Sequence, residues 1–259
     1  MNKLTVILIF CFLMASENVA FEMSAKCLIR EDRVWEYVYA SYRGDNHYRL
    51  FQVRFDGTEE HNGLIYHRLI HTGDIVQWIG VYDKEIDNIV FTGREVVPND
   101  NSHAYLMREE EGRVYLLNKD MFNIGWPLQS PAPDEFLVYD FNKIAGESYE
   151  LLSGQWTWNE EPEEIYYMPC EIISTDTIEV EGVRVTVQNA LHGIEDFSII
   201  EDIGFVKHGF LPFLYCDMRA HTYTLDCDLN RVYNAEGDII YRGLDIDPET
   251  VSVEKVNDK

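Results

Sequence analysis

Apolar and polar residues alternate with a period of two through most of this chain. Tyr48 to Phe55, for example, places Phe51, Val53 and Phe55 on one side of an extended strand. Similar runs rich in Val, Ile, Tyr, Phe and Trp recur at a spacing of about 8 to 12 residues, with turn residues between them. No window shows a sustained helical stripe of apolar residues. The pattern predicts a mainly β protein of antiparallel strands and hairpins, arranged as a β-sandwich or two packed sheets.

Turn residues locate the hairpins. Asn62-Gly63 supplies the pair that adopts positive φ at both central positions of a tight turn. Glu111-Gly112, Glu181-Gly182 and Glu236-Gly237 mark three more returns. Leu64 to Ile70 and Ile75 to Tyr82 are predicted as two separate strands after the first turn.

Two segments suggest a weak internal repeat. The sequence GTEEHNG at 57–63 echoes DTIEVEG at 176–182, with a threonine five residues before the turn glycine in both. We therefore predict a single β-rich domain over 21–243, with two related halves divided near the proline-containing stretch 126–134. Residues 244–259 are predicted to be a polar C-terminal tail.

The N-terminus has the layout of a secretory signal peptide. A basic start ending at Lys3 precedes eleven apolar residues, Leu4 to Met14, and small and polar residues then lead to Ala20. Crossing a bilayer needs roughly 20 apolar residues. We predict cleavage near residue 20 and export to the periplasm, the cell surface or the medium. Cys11 and Cys27 lack the small preceding residue that lipid attachment prefers.

The charge of the chain restricts its partners. Its 259 residues carry a formal net charge of −25, which repels phosphate backbones and anionic membrane surfaces. We predict no nucleic-acid partner, no transmembrane segment and no cofactor. Cations, neutral glycans and proteins remain open by this argument, and the partner we expect is a glycan or a surface protein.

Four cysteines follow the predicted signal: Cys27, Cys170, Cys216 and Cys227. An exported chain meets oxidising conditions, so one or two disulfides are expected. Cys216 and Cys227 flank a predicted hairpin and are the pair we nominate. The alternative is that the cysteines are free, buried and small apolar residues.

Six segments occur in an ordered series: FDGTEEHNGLIYHRL, AYLMREEEGRVYLL, LVYDFNKIAGESYEL, STDTIEVEGVRVTV, SIIEDIGFVKHGFL and LNRVYNAEGDIIY. The series resembles a family of uncharacterised secreted bacterial proteins, some with a C-terminal secretion-sorting domain. The resemblance extends from Trp35 to Tyr241 and implies a β-rich exported protein. It implies no catalytic residue. The chain has Asp202 where that family often has glycine.

Three histidines lie close together in HNGLIYHRLIH, at positions 61, 67 and 71. A helix would place His67 and His71 together for zinc. The Asn62-Gly63 turn and the β-prone flanks predict a strand instead, on which the two share a face about 13 Å apart. We therefore predict no metal site.

Signatures of catalysis are weak. The chain has no Gly-x-Ser-x-Gly elbow and no glycine-rich phosphate loop. Glu201 lies among apolar neighbours, either as a general acid with a raised pKa or as a structural acid that accepts backbone hydrogen bonds; we favour the structural role. The acidic stretches 109–111, 159–164 and 245–249 lack calcium-loop spacing and are predicted to be solvated.

Paired tryptophans give the strongest indication of binding. Trp156 and Trp158 are two residues apart, so an extended chain projects both to one side, as a platform for a sugar ring or a partner protein. Trp35 and Trp78 lie in apolar runs and are predicted to be core. We expect a non-catalytic module that binds a glycan or a protein. The alternatives are a glycan-directed hydrolase with a carboxylate pair and a structural envelope component.

Overall fold

The structure, a computed structural model, describes residues 28–41, 46–83, 88–99, 104–117, 134–154, 165–192, 195–207 and 226–247. Within these ranges the chain forms strands and no helix. The strands are β1 (Val34–Ser41), β2 (Asn46–His61), β3 (Leu64–Asp83), β4 (Asn88–Val97), β5 (Ala104–Glu110), β6 (Arg113–Leu117), β7 (Glu135–Asp140), β8 (Ser148–Gly154), β9 (Ile165–Val180), β10 (Val183–His192), β11 (Glu195–Ile200), β12 (Gly204–Phe205), β13 (Asp226–Tyr233) and β14 (Ile239–Arg242). The predicted signal peptide, residues 1–20, lies outside the described residues.

The strands form two antiparallel sheets. Sheet A has the order β14-β13-β1-β2-β3-β5-β6-β7, with β4 paired to the second half of β3. Sheet B has the order β12-β11-β10-β9-β8. The prediction of a mainly β fold with two packed antiparallel sheets is confirmed.

Aromatic side chains from both sheets fill the space between them. Tyr139 on β7 lies 4.6 Å from Phe205 on β12, measured between ring centroids, and Phe197 on β11 lies 5.0 Å from the same ring. Trp35 is completely buried, and its indole N–H donates to the carbonyl of Ile203, in the β11–β12 turn of sheet B, at 2.9 Å. This buried hydrogen bond satisfies the polar end of a large apolar side chain.

A smaller cluster lies further along sheet A. Trp78 on β3 is buried there with Val38 and Leu50. The predicted core positions of Trp35 and Trp78 are therefore confirmed.

Three of the four predicted tight returns are two-residue turns, whereas Glu236-Gly237 lies in a longer connection between β13 and β14 in which only Gly237 has positive φ, at 86°. Asn62-Gly63, Glu111-Gly112 and Glu181-Gly182 all have positive φ at both positions, between 50° and 80°. They connect β2 to β3, β5 to β6 and β9 to β10. This is the two-residue turn whose twist matches that of paired strands.

Two segments predicted as separate strands form one long strand. Leu64 to Ile70 and Ile75 to Tyr82 belong to one strand, β3, which pairs with β5 through its first part and with β4 through its second. Gly73, with φ of 68°, lies at the change of partner. A glycine at this point permits a backbone conformation that other residues rarely adopt.

The chain changes sheet between β7 and β8, and returns to sheet A at β13. The predicted boundary near 126–134 falls outside the described residues apart from its last position, so the two related halves stay a prediction. The start of the predicted tail is held against β13. The side-chain amide of Asn230 donates to the carbonyl of Ile246 at 2.9 Å and accepts from its N–H at 2.7 Å.

Candidate binding groove

A groove of about 290 Å³ opens on sheet B. Strands β9, β10 and β11 contribute to it, together with the residues that follow β12. The residues that line it are Ile173, Asn189, Ala190, Asp196, Phe197, Ser198, Val206 and Lys207. Four of these residues are polar or charged and four are apolar.

Three small polar side chains form a row across adjacent strands, which we call the polar row: Ser174, Asn189 and Ser198. Antiparallel pairing places Asn189 directly opposite Ser174 on β9 and opposite Ser198 on β11. The Asn189 amide donates to the Ser174 hydroxyl at 2.9 Å, and its carbonyl oxygen accepts from the Ser198 hydroxyl at 2.9 Å. Since neighbouring strands are about 4.8 Å apart, the row extends roughly 10 Å across the sheet.

A β-bulge shapes one side of the groove. Ser174 pairs with Asn189 and Ile172 pairs with Ala190, so Ile173 is the extra residue on β9. Its side chain is 54% exposed, whereas Ile172 is completely buried. Bulges redirect side chains and are frequent beside binding sites. The bulge therefore accounts for a large apolar side chain at the open surface of the groove.

The charged groups of the groove are few and opposite in sign. Asp196 on β11 is the one carboxylate among the described lining residues, and Lys207 is the one cation. The groove therefore does not supply, from its described lining, the pair of acids that glycoside hydrolysis requires.

The histidines of the β2–β3 hairpin are spread along a strand. His67 and His71 both lie on β3, as predicted, and each packs on a phenylalanine of β2: His67 on Phe55 and His71 on Phe51, at ring-centroid distances of 6.4 and 5.2 Å. Within the described ranges, no group of His, Cys, Asp and Glu could hold a metal ion.

Glu201 has a structural environment. It is buried in the turn between β11 and β12, and its carboxylate accepts a hydrogen bond from the backbone N–H of Thr186 at 2.9 Å. Its own N–H donates to the carbonyl of Thr186 at the same distance. The two bonds fasten the turn to β10, which is the structural role favoured by the sequence.

Acidic residues that a calcium loop would need have other partners. The carboxylate of Glu109 accepts from the N–H groups of Leu28 and Ile29 at 2.8 and 3.1 Å. Asp245 accepts from Arg231 and Arg242. The first contact fastens the segment before β1 to β5. The second fastens the segment after β14 to β13 and β14.

The tryptophan platform and the nominated disulfide stay predictions. Trp156, Trp158 and Cys216 lie outside the described residues, and only the backbone of Cys227, on β13, is described. Cys170, in contrast, is a free thiol in the core, and burial raises its pKa to about 11.

A buried ion cluster joins the two sheets away from the groove. Arg33, just before β1, donates to Asp202 at 3.0 Å and pairs with Glu181 at 2.7 Å. Burial raises the pKa of Asp202 above its ordinary value, despite the opposing effect of Arg33 and Arg30. The hydrogen bond from Arg33 lowers the pKa of Glu181 below its ordinary value.

A second ionic group lies on sheet A. Glu135 at the start of β7 accepts hydrogen bonds from the Tyr66 hydroxyl and from the Arg108 guanidinium, which also lies 4.4 Å from the ring centroid of Tyr115. Partial burial acts to raise the pKa of Glu135, but Arg108 and Tyr66 outweigh it and the pKa lies below its ordinary value. Burial, together with Glu135, raises the pKa of Tyr66 to about 12.

Sequence reasoning missed the groove. Its polar row joins residues that are 15 and 9 positions apart along the chain, and single serines and asparagines carry no local signal. The usable signal is the predicted β10 hairpin, because its turn fixes which residues of β9 and β10 face each other.

No helix long and apolar enough to cross a membrane occurs among the described residues. No family model, no curated protein and no solved structure matches the chain.

Proposed function

We propose that the protein is an exported, non-catalytic binding module whose ligand occupies the groove of sheet B. The observation that carries this proposal is the polar row beside the bulged Ile173. It presents hydrogen-bonding groups and an apolar surface side by side, on the three adjacent paired strands β9, β10 and β11. Rigid strands position such groups more precisely than loops do.

The groove favours binding over hydrolysis. Its described lining holds one carboxylate, Asp196, and Glu201 is engaged by Thr186. Export is supported by the apolar run Leu4 to Met14 and the residues around it.

A thermal-shift screen of the mature chain tests the proposal. Soluble glycans and divalent metals are screened with and without a chelator. A ligand at a hundred times its dissociation constant, bound only to the folded state, stabilises the protein by about 2.7 kcal/mol. We expect a shift with at least one glycan class and no effect of the chelator.

Two variants place the ligand. Ile173→Glu puts a charge into the groove and abolishes the shift, whereas Val183→Glu, at an exposed valine of β10 outside the groove, leaves it intact. The Trp156→Ala/Trp158→Ala double variant is the third arm. If that variant alone removes the shift, the ligand lies at the tryptophans and the proposed groove site is wrong.

A further inference from the structure

We infer that the ligand of the groove is a neutral glycan, recognised by the polar row and by the apolar side chain of Ile173. This inference rests on the proposed binding function and names its ligand class.

The hydrogen-bonding capacity of the polar row suits sugar hydroxyls. The Asn189 amide has two donor hydrogens and two acceptor lone pairs, and the row uses one of each. The hydroxyls of Ser174 and Ser198 each keep acceptor capacity. Sugar hydroxyls both donate and accept, so they can engage an uncharged row of this kind without leaving an unsatisfied polar group.

The apolar part of the groove suits the C–H surface of a sugar ring. Ile173 projects from the bulge, and Val206 is half-buried at the other side. Phe197 on β11, opposite Ala190, is only 8% exposed and packs on Phe205 between the sheets, so its ring lies on the other face of sheet B from the polar row. A sugar ring lying over the polar row would contact Ile173 and Val206 while its hydroxyls reach Asn189 and Ser198.

The charge of the groove argues against a charged glycan. Asp196 and Lys207 balance each other in the described lining, and the chain as a whole carries −25. That net charge repels polyanions at long range. A neutral ligand is not repelled by the net charge, and it needs no excess of either charge in the groove.

The sheet topology argues against an extended peptide. β10 pairs with β9 and β11, and β9 also pairs with β8. The central strand of the groove, β10, which carries Asn189, therefore has no free edge at which a peptide could add as a further strand, one of the ways in which sheets bind peptides.

Isothermal titration of the mature chain tests the inference. The probes are neutral oligosaccharides of the glucose, mannose, xylose and N-acetylglucosamine series, an acidic oligogalacturonate, and a neutral hydrophilic peptide. We expect one neutral series to bind, with a dissociation constant that changes less than about twofold on adding salt, because screening affects charge pairs only.

The variants separate polar from ionic recognition. Asn189→Ala and Ser198→Ala should each weaken binding about tenfold, the loss expected for one hydrogen bond. The Asp196→Asn/Lys207→Gln double variant should change it less than about threefold. Melting curves without ligand show whether each variant folds. If Asn189→Ala does not fold, Ser198→Ala still tests the polar row, because it keeps the Asn189–Ser174 hydrogen bond.

The other outcomes distinguish an error in the ligand class from an error in the binding site. Binding of the acidic glycan or the peptide alone, abolished by Ile173→Glu, overturns the neutral-glycan inference and leaves the groove as a binding site. Neutral-glycan binding that survives Asn189→Ala and Ser198→Ala also overturns the inference. If no probe binds, or if Ile173→Glu abolishes none of the binding that is seen, both the inference and the proposed function are wrong.

Discussion

Arg33 donates a hydrogen bond to the Asp202 carboxylate at 3.0 Å, and this ion pair joins the start of sheet A to the β11–β12 turn of sheet B. Both side chains are buried, with 2% and 8% of their surfaces exposed. Removing one partner of a buried ion pair lowers the free energy of unfolding far more than removing one partner of a surface pair, because the remaining charge stays desolvated.

The first prediction concerns Arg33→Met. We expect the free energy of unfolding to fall by about 3 kcal/mol, the lower end of the usual range for breaking a buried pair, because Arg30 remains 3.4 Å from Asp202. Urea denaturation measures the change. Arg54→Met is the matched control, since the Arg54–Asp56 pair is 44% and 53% exposed, and its loss should amount to less than about 1 kcal/mol.

A second substitution tests the effect of the buried Asp202 carboxylate that Arg33→Met leaves without this partner. Adding Asp202→Asn to Arg33→Met removes the buried carboxylate and keeps a residue that tolerates the φ of 68° at this position. The double variant should recover at least half of the loss. Equal losses from Arg33→Met and Arg54→Met would contradict the buried-pair account.

The second prediction concerns pH and Glu135. Its pKa in the folded protein lies below the ordinary value, so its contribution to stability is present above the unfolded-state pKa of about 4.3 and is lost as pH falls through the folded-state pKa. At pH 7, Glu135→Gln should lower the free energy of unfolding by about 1 to 2 kcal/mol. Below about pH 4.3 the difference from the unmodified protein should shrink toward zero.

Urea unfolding at a series of pH values measures this difference. Glu110→Gln serves as the control, because Glu110 also pairs with Arg108, at 2.8 Å, but is 64% exposed. Its effect at pH 7 should be small. A Glu135→Gln effect that persists unchanged at low pH would show that the carboxylate charge is not what stabilises the contact with Arg108.

Much of the fold follows from local sequence signals. The pattern of β-prone runs predicts the antiparallel strands, and Asn62-Gly63, Glu111-Gly112 and Glu181-Gly182 predict the hairpin turns, because only the mirror-image turn suits two residues between twisted strands. The extent of β3 is not predictable in this way, since its continuity past Gly73 depends on two different partner strands.

The candidate site is harder to predict for the same reason. Ser174, Asn189 and Ser198 become neighbours only when β9, β10 and β11 are in register, and the exposure of Ile173 depends on the bulge within that register.

The third prediction compares two glutamates in the same kind of turn. Glu111 and Glu181 have φ of 51° and 50° at the first central position of their hairpins, a conformation that asparagine tolerates better than glutamate. Glu111→Asn should therefore raise the free energy of unfolding by about 0.5 to 1 kcal/mol. Its backbone carbonyl, which accepts from the Asn142 amide, is unchanged by the substitution.

Glu181→Asn should not show this gain. The conformational benefit is the same, but the substitution removes the carboxylate that pairs with buried Arg33 at 2.7 Å and accepts from Asn234 at 3.3 Å. We expect it to be less stable than Glu111→Asn by about 1 kcal/mol or more. Asn62→Glu completes the set, because it should lower the free energy of unfolding by about as much as Glu111→Asn raises it. If both glutamates gave the same gain, the Arg33–Glu181 contact would contribute nothing to joining the sheets.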